Sequence, residues 1–245
     1  MALKFNPPFA SAPGRCWHGS WLVALLLFTV SMAVFAWSVV RADAAWQFLA
    51  ARSITEAQLA AAMVSEDAVE TARRRVQRAL QWFPANPDYL DLAGQLRELS
   101  ANQPGVVGAE RRALLHAAAD YYRRAISVRP LWPYSWASLL GVKDRLGEVD
   151  GEFHLALARS DELGPWEPQV QLQLLEAGLR HWDELGQGPR ARVQRKLAAA
   201  VTVQPREVFA LVRGFGRADL LCAIASGQPQ IEAYCTDWHA RQKVS

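Results

Sequence analysis

A run of twenty uncharged, mostly apolar residues near the start of the chain limits what this sequence can fold into. The run begins at Trp21 and ends at Val40, and no Asp, Glu, Lys or Arg interrupts it. A helix of about twenty residues is roughly 30 Å long, which matches the hydrocarbon core of a bilayer. Trp21 and Trp37 lie near its ends, where tryptophan side chains prefer the membrane interface. The sequence therefore predicts a transmembrane helix over residues 21–40, preceded by a short tail of residues 1–20.

A cleaved signal peptide is the alternative interpretation, because Ala42-Asp43-Ala44 resembles the A-x-A motif of a cleavage site. The apolar part of a signal peptide is about 7–15 residues long, which is shorter than this run. An uncleaved signal anchor is therefore preferred. Lys4 and Arg15, before the run, are nearly matched by the charges that follow it, so charge alone leaves the orientation open.

The rest of the chain has the composition of a helical protein. Ala, Leu and Arg recur throughout, and the alternating Val, Ile and Thr patterns that indicate strands are missing. Residues 41–63 are predicted to form a helical linker whose inward positions are Ala44, Phe48, Ala51 and Leu59. Later helices are expected to end in left-handed glycine caps at Gly147, Gly164 and Gly186.

A pattern of small residues, aromatic residues and prolines recurs along the chain. Its most complete copy consists of Ala118, Tyr122, Ala125, Pro130, Trp136 and Leu139. Ala118 and Ala125 share one helical face and let a neighbouring helix approach closely, whereas Pro130 cannot continue the helix. Related joints between helices occur at Pro84, Pro165 and Pro205, and Pro165 lies 35 residues after Pro130.

Residues 64–212 resemble tetratricopeptide repeats, whose period is about 34 residues. The step of 46 residues from Pro84 to Pro130 fits one repeat plus an insertion, and the polar residues 100–108 lie where that insertion would loop out. The resemblance implies an all-α fold, with an N-terminal transmembrane helix followed by an α-solenoid of tetratricopeptide-like helix pairs. Residues 213–245 are then a helical cap. The alternative is an irregular helical domain whose helices merely end at prolines.

The resemblance also implies a groove lined by the first helix of each repeat, in which peptides or partner helices bind. Six side chains are candidates for lining this groove: Tyr89, Gln95, Trp136, Lys143, Gln171 and Gln173. Trp132 and Trp166 lie within Pro-x-x-Pro turns and are expected to clamp adjacent helices rather than to contact a ligand.

No arrangement of residues in the sequence indicates catalysis. The histidines are scattered without metal-ligand spacing, and no phosphate-binding glycine loop or nucleophile motif is present. Adjacent carboxylates such as Asp161 and Glu162 point away from each other on a helix, so they are poor acid–base pairs. The sequence therefore predicts a protein that is not an enzyme, with no cofactor and no metal. A net charge of +3 gives no indication of nucleic-acid binding.

Two of the three cysteines, Cys222 and Cys235, lie beyond the repeats on two predicted short helices joined by residues 226–229. A helical hairpin of this kind can bring their β-carbons to the roughly 4 Å that a disulfide needs. The sequence predicts this disulfide, which favours an oxidising compartment and hence a domain outside the cytoplasm. The alternative is a pair of buried thiols in a cytoplasmic domain.

The overall layout, a single span followed by helical repeats rich in Trp, Arg and Ala, resembles accessory proteins of bacterial exopolysaccharide biosynthesis and export. That resemblance implies a single-pass protein of the bacterial inner membrane, with its C-terminal domain in the periplasm. Its expected partners are envelope membrane proteins or their peptides, which it would hold together as an adaptor. The alternatives are a scaffold of a secretion, pilus or cytochrome-maturation complex and, from another class, an enzyme acting on polysaccharide.

Overall fold

The computed structural model describes residues 17–61, 65–224 and 229–242, and these residues form eleven α-helices and no strand. The predicted all-α fold is therefore confirmed for the described residues. In chain order the helices are α1 (Trp17–Ala60), α2 (Glu66–Trp82), α3 (Pro87–Ala101), α4 (Gly108–Val128), α5 (Pro133–Leu146), α6 (Gly151–Leu163), α7 (Pro168–Arg180), α8 (Gln187–Val203), α9 (Pro205–Gly214), α10 (Ala218–Ile224) and α11 (Pro229–Gln242).

Helix α1 joins the predicted membrane segment to the predicted linker without a break. Every side chain from 21 to 39 is exposed, and in the described part of the chain α1 alone is long and apolar enough to cross a membrane. Burial begins directly after this run, because Ala44 and Ala51 are fully buried against the following helices. The domain is thus packed onto α1 immediately beyond its apolar part.

The prediction that Leu59 faces inward is wrong, since its side chain is 64% exposed. Because an α-helix has 3.6 residues per turn, residues spaced four apart move gradually around α1, and by Leu59 the side chain no longer faces the array. Gln58 faces the connection to α2 instead, and its Oε1 accepts a hydrogen bond of 2.6 Å from the Ser65 amide.

The helices pack in consecutive pairs, α1 with α2, α3 with α4, α5 with α6 and α7 with α8. Short connections make neighbouring helices antiparallel. Helix α5 also contacts α7, and α6 contacts α8, so the first helices of the pairs run side by side in one direction. The result is a continuous array in which α1 is the first helix.

Four turns connect each pair to the next, and we call them the joints: residues 83–86, 129–132, 164–167 and Gln204. In the first three, the amide of the last residue donates to the carbonyl of the first, at N–O distances of 3.1, 3.2 and 3.3 Å. A proline is the first residue of the helix after every joint. At this position a backbone N–H would have no partner within the helix, so the N–H that proline lacks is not needed. The repeated prolines of the sequence therefore mark one repeated local structure.

The predicted left-handed caps are correct only for Gly147, whose φ is 71°. Gly164 and Gly186 have φ values of −118° and −70°, so their predicted conformation is wrong.

Gly164 is needed for a close approach, since a β-carbon there would lie 2.8 Å from Val170 Cγ1 and 3.0 Å from Pro133 Cβ. Helix α7 ends at Arg180, before the predicted cap at Gly186, and the side chain of Arg190 donates to carbonyls of the turn that follows α7.

Tyr122 of α4 lies at the centre of the array and is fully buried. Its ring covers Gly94 of α3, where an added β-carbon would lie 2.6 Å from the ring. Its hydroxyl donates to the Glu98 carboxylate, which also contacts Arg145 of α5. Tyr122 therefore links both helices of its own pair and, through Glu98, the first helix of the next.

The C-terminal helices α10 and α11 carry the two predicted cysteines. The Sγ atoms of Cys222 and Cys235 lie 2.03 Å apart, at disulfide-bonding distance, which agrees with the predicted pairing. The rings of Phe209 and Tyr234 stack at a centroid distance of 4.6 Å and hold α11 against α9. Most of the turn between the cysteines lies outside the described residues, as does Cys16.

Candidate functional site

Four of the six side chains predicted for the groove are used inside the array. Tyr89 is 8% exposed because Phe48 of α1 covers it, with ring centroids 4.9 Å apart. The sequence predicted that Phe48 faces inward, and this is confirmed, but it did not indicate that Phe48 would cover Tyr89. Tyr89 is therefore a packing residue between α1 and α3.

Trp136 and Gln171 occupy equivalent places in successive pairs, 35 residues apart. The indole Nε1 of Trp136 donates to the carbonyl of Pro130 at 2.8 Å, and the amide of Gln171 donates to the carbonyl of Pro165. Each side chain thereby closes the joint in front of its own helix. This position requires a side-chain hydrogen-bond donor, and both tryptophan and glutamine supply one.

Lys143 is 2% exposed and is surrounded by acidic groups of the α5–α6 connection. Its Nζ lies 2.6 Å from Asp150 Oδ2 and 3.6 Å from Glu152 Oε2, and it also contacts Glu148. Burial acts to lower the pKa of Lys143, but its hydrogen bonds with Asp150 and Glu148 outweigh burial and raise this pKa. The lysine fixes the start of α6 and is not presented to a ligand.

Gln95 and Gln173 are the two exposed candidates. Gln173 lies at a cavity of about 220 Å³ between α5 and α7, with α4 at one end. We call this cavity the α5–α7 groove; its lining residues are Arg111, Gly141, Asp144, Arg145, Gln173, Glu176 and Arg180. Gln95 lies on α3, outside this groove.

The α5–α7 groove is lined by charges of both signs that bridge its two helices. Arg180 Nε of α7 lies 3.0 Å from Asp144 Oδ1 of α5, and its Nη2 lies 2.9 Å from Glu176 Oε1. His181 Nε2 is 3.1 Å from the same Asp144 oxygen. Burial raises the pKa of Asp144 although Arg180 and His181 oppose the shift, and burial lowers the pKa of Arg145.

These properties suit contact with a polar segment of another protein. Pockets for small molecules usually enclose about 300–1,000 Å³ and are mostly apolar, and this groove is smaller and charged. Exposed Gln173 can donate and accept hydrogen bonds with a peptide backbone, while the arginines offer charged donors. The described residues contain no cluster of His, Cys, Asp or Glu arranged to hold a metal ion.

Sequence reasoning found one residue of the groove, Gln173, and missed the charged ones. Gln173, Glu176 and Arg180 follow the i, i+3, i+7 spacing of one helical face. The same spacing relates Gly141 to Asp144 on α5. The signal was therefore present, but it indicates only which residues share a face and does not say which face the neighbouring helix leaves open.

A second polar network holds α3 to the second joint and to α5. Asp91 of α3 accepts hydrogen bonds of 2.8 Å from the Ser135 hydroxyl of α5 and lies 3.2 Å from Arg129 Nη2. Burial raises the pKa of Asp91 to about 6, although Ser135 and Arg129 favour the ionised form. Its partners are Arg129 of the second joint and Ser135 of α5, so this carboxylate connects α3 to the next pair of helices.

No protein-family model matches this sequence, and no curated protein matches it either. A function for this chain must therefore come from its own residues.

Proposed function

We propose that this chain is a single-pass adaptor of the bacterial inner membrane, anchored by α1 and with its tetratricopeptide-like array in the periplasm. There it binds a polar segment of an envelope membrane protein and helps to assemble an exopolysaccharide biosynthesis or export machinery. Its role is binding and not catalysis. The observation that carries the proposal is the continuity of α1, whose exposed apolar part leads directly into the packed array.

Contacts made by α1 at the end of its apolar part and just beyond it support an anchor that stays attached. The ring of Trp37 meets Phe83 of the first joint at a centroid distance of 5.6 Å, and Arg41 lies over the same ring. Ala44, the last residue of the possible cleavage motif, is fully buried. Cleavage after Ala44 would remove all three contacts from the folded domain.

The compartment is inferred from the cysteines. Disulfides persist outside the cytoplasm and are rare within it, so the paired Cys222 and Cys235 favour a periplasmic array. A reporter enzyme that works only outside the cytoplasm should be active when fused after Ser245 and inactive when fused before Lys4. The opposite pattern would overturn the proposed orientation, and a mature protein that starts at Ala45 would overturn the anchor.

Binding through the α5–α7 groove can be tested by blocking it. Gln173→Trp should abolish co-purification of the envelope partner from native membranes, because the large ring fills a groove of about 220 Å³. Gln95→Trp is the matched control, since it makes the same change at an exposed glutamine outside the groove. Retention of the partner by Gln173→Trp, or its loss only in Gln95→Trp, would show that the groove is not the binding surface.

A further inference from the structure

The joints bring an unexpected set of exposed apolar side chains to one edge of the array. Outside α1, the described structure leaves eight large apolar side chains exposed, and six of them lie in a joint or directly beside one. These six are Trp82, Val128, Leu131, Trp132, Trp166 and Val203. The expectation that Trp166 clamps adjacent helices is wrong, because its side chain is 88% exposed. The apolar exposure is therefore concentrated at one kind of position.

The four joints lie next to one another, and direct contacts connect them in sequence. Arg124, near the second joint, donates to the Pro84 carbonyl of the first at 3.0 Å. Tyr134, just after the second joint, donates to Glu167 of the third. Gln204 of the fourth reaches the carbonyl of Pro168, directly after the third, at 3.4 Å. We call this continuous strip of joints the joint edge.

The joint edge continues from the membrane-spanning part of α1. Phe83 of the first joint packs on Trp37, three residues before the apolar run ends at Val40. All first helices of the pairs run in the direction of α1, so all joints lie at the end of the array where α1 leaves the apolar run. The opposite ends of the helices point away from that level.

We infer that the joint edge rests on the surface of the membrane that anchors α1, with Trp82, Leu131, Trp132 and Trp166 in the lipid interface. Tryptophan prefers the interface because its ring is apolar and its N–H is polar. Arg129, whose guanidinium lies 4.4 Å from the centroid of the Trp132 ring, holds that ring at the joint edge while pairing with Asp88 and Asp91. The array then lies along the bilayer, so its groove is held at a fixed height above the membrane. This inference rests on the proposed membrane anchor.

The test places a nitroxide spin label at single sites of the full-length chain. Leu131→Cys and Trp166→Cys put the label on the joint edge, and Val107→Cys is the matched control. Val107 is 72% exposed against 74% for Leu131, but it lies in the α3–α4 connection at the opposite ends of the helices. All variants also carry Cys16→Ser, which removes a native thiol. The Cys16→Ser variant without an added cysteine checks that the disulfide-bonded Cys222 and Cys235 stay unlabelled.

The labelled protein is placed as one copy per nanodisc in phosphatidylethanolamine and phosphatidylglycerol. Accessibility is measured to oxygen, which partitions into lipid, and to a water-soluble nickel chelate. The oxygen-to-nickel ratio should be several-fold higher at positions 131 and 166 than at 107. Ratios at 131 and 166 equal to that at 107 would overturn the inference. A parallel sample in vesicles that hold several copies each tests self-association. Shielding of 131 and 166 that appears only in those vesicles would also overturn the inference, since a second copy would then cover the edge.

A label at Leu27 separates this inference from the proposed anchor. Leu27 lies within the apolar run and is 59% exposed, so Leu27→Cys should report the bilayer interior. A lipid-embedded label at 27 combined with aqueous labels at 131 and 166 would leave the anchor in place and refute the contact of the edge. An aqueous label at 27 would refute both.

Discussion

Tyr122→Ala is expected to lower the free energy of unfolding of the array by about 3–5 kcal/mol, the usual cost of truncating a buried aromatic side chain to alanine. The ring is fully buried, and its removal leaves a cavity between α3, α4 and α5. For a domain of this size, the corresponding fall in melting temperature is on the order of 10 °C. Thermal melting of the full-length chain in detergent, followed by circular dichroism, measures it.

Two further variants identify the contact that is lost. Tyr122→Phe keeps the ring and removes only the hydroxyl, so it should cost about 1 kcal/mol, because Glu98 retains Arg145 as a partner. Gly94→Ala alone should cost about 1–3 kcal/mol, since its β-carbon would collide with the Tyr122 ring. In the Tyr122→Ala background the same change meets open space and should cost nothing. An equal cost in both backgrounds would contradict the proposed packing.

Lys143→Met is expected to lower the free energy of unfolding by about 3–4 kcal/mol, toward the low end of the range for breaking a buried ion pair. Methionine keeps the length of the stem but removes the charge that neutralises Glu148 and Asp150. These carboxylates are partly exposed, and water therefore offsets part of the loss. Urea unfolding of the full-length chain measures the difference.

The matched control is Lys196→Met at the other buried lysine. Lys196 lies 2.8 Å from Asp161, but that carboxylate keeps Arg192, also at 2.8 Å, when the lysine is removed. The expected cost is therefore only about 1 kcal/mol. Equal losses in the two variants would show that Lys143 has no special part in fixing the α5–α6 connection.

The pH dependence of the Lys143 effect has a definite sign. Burial acts to raise the pKa of Asp150, but hydrogen bonds from Lys143 and from the Phe153 amide outweigh it and hold this pKa below its usual value. A lowered carboxyl pKa stabilises the folded state above the unfolded pKa of about 4, and the gain is lost as the pH falls through the folded pKa. The difference between wild type and Lys143→Met should thus be largest at neutral pH and shrink below pH 4. A difference that grows on acidification would contradict the ion pair.

Local features of the sequence determined much of this structure. The uncharged run can satisfy its backbone in lipid only as a helix, so the character of α1 follows from composition alone. The joints follow from prolines, since a proline breaks the preceding helix and fits the first turn of the next. The pairing of Cys222 with Cys235 likewise depends on spacing across one turn.

The tertiary structure alone decided which face of each helix remains open. Helical spacing shows that Gln173, Glu176 and Arg180 share a face, but only the packing of α7 against α5 makes that face a groove. The same limit explains why the burial of Lys143 was not predicted. This side chain is buried because acidic residues of the next connection fold back over it. It also explains why the exposure of Trp166 was not predicted, because a turn with the same local residues can direct a ring toward the array or away from it. Burial depends on contacts between distant parts of the chain, and a one-dimensional pattern does not contain them.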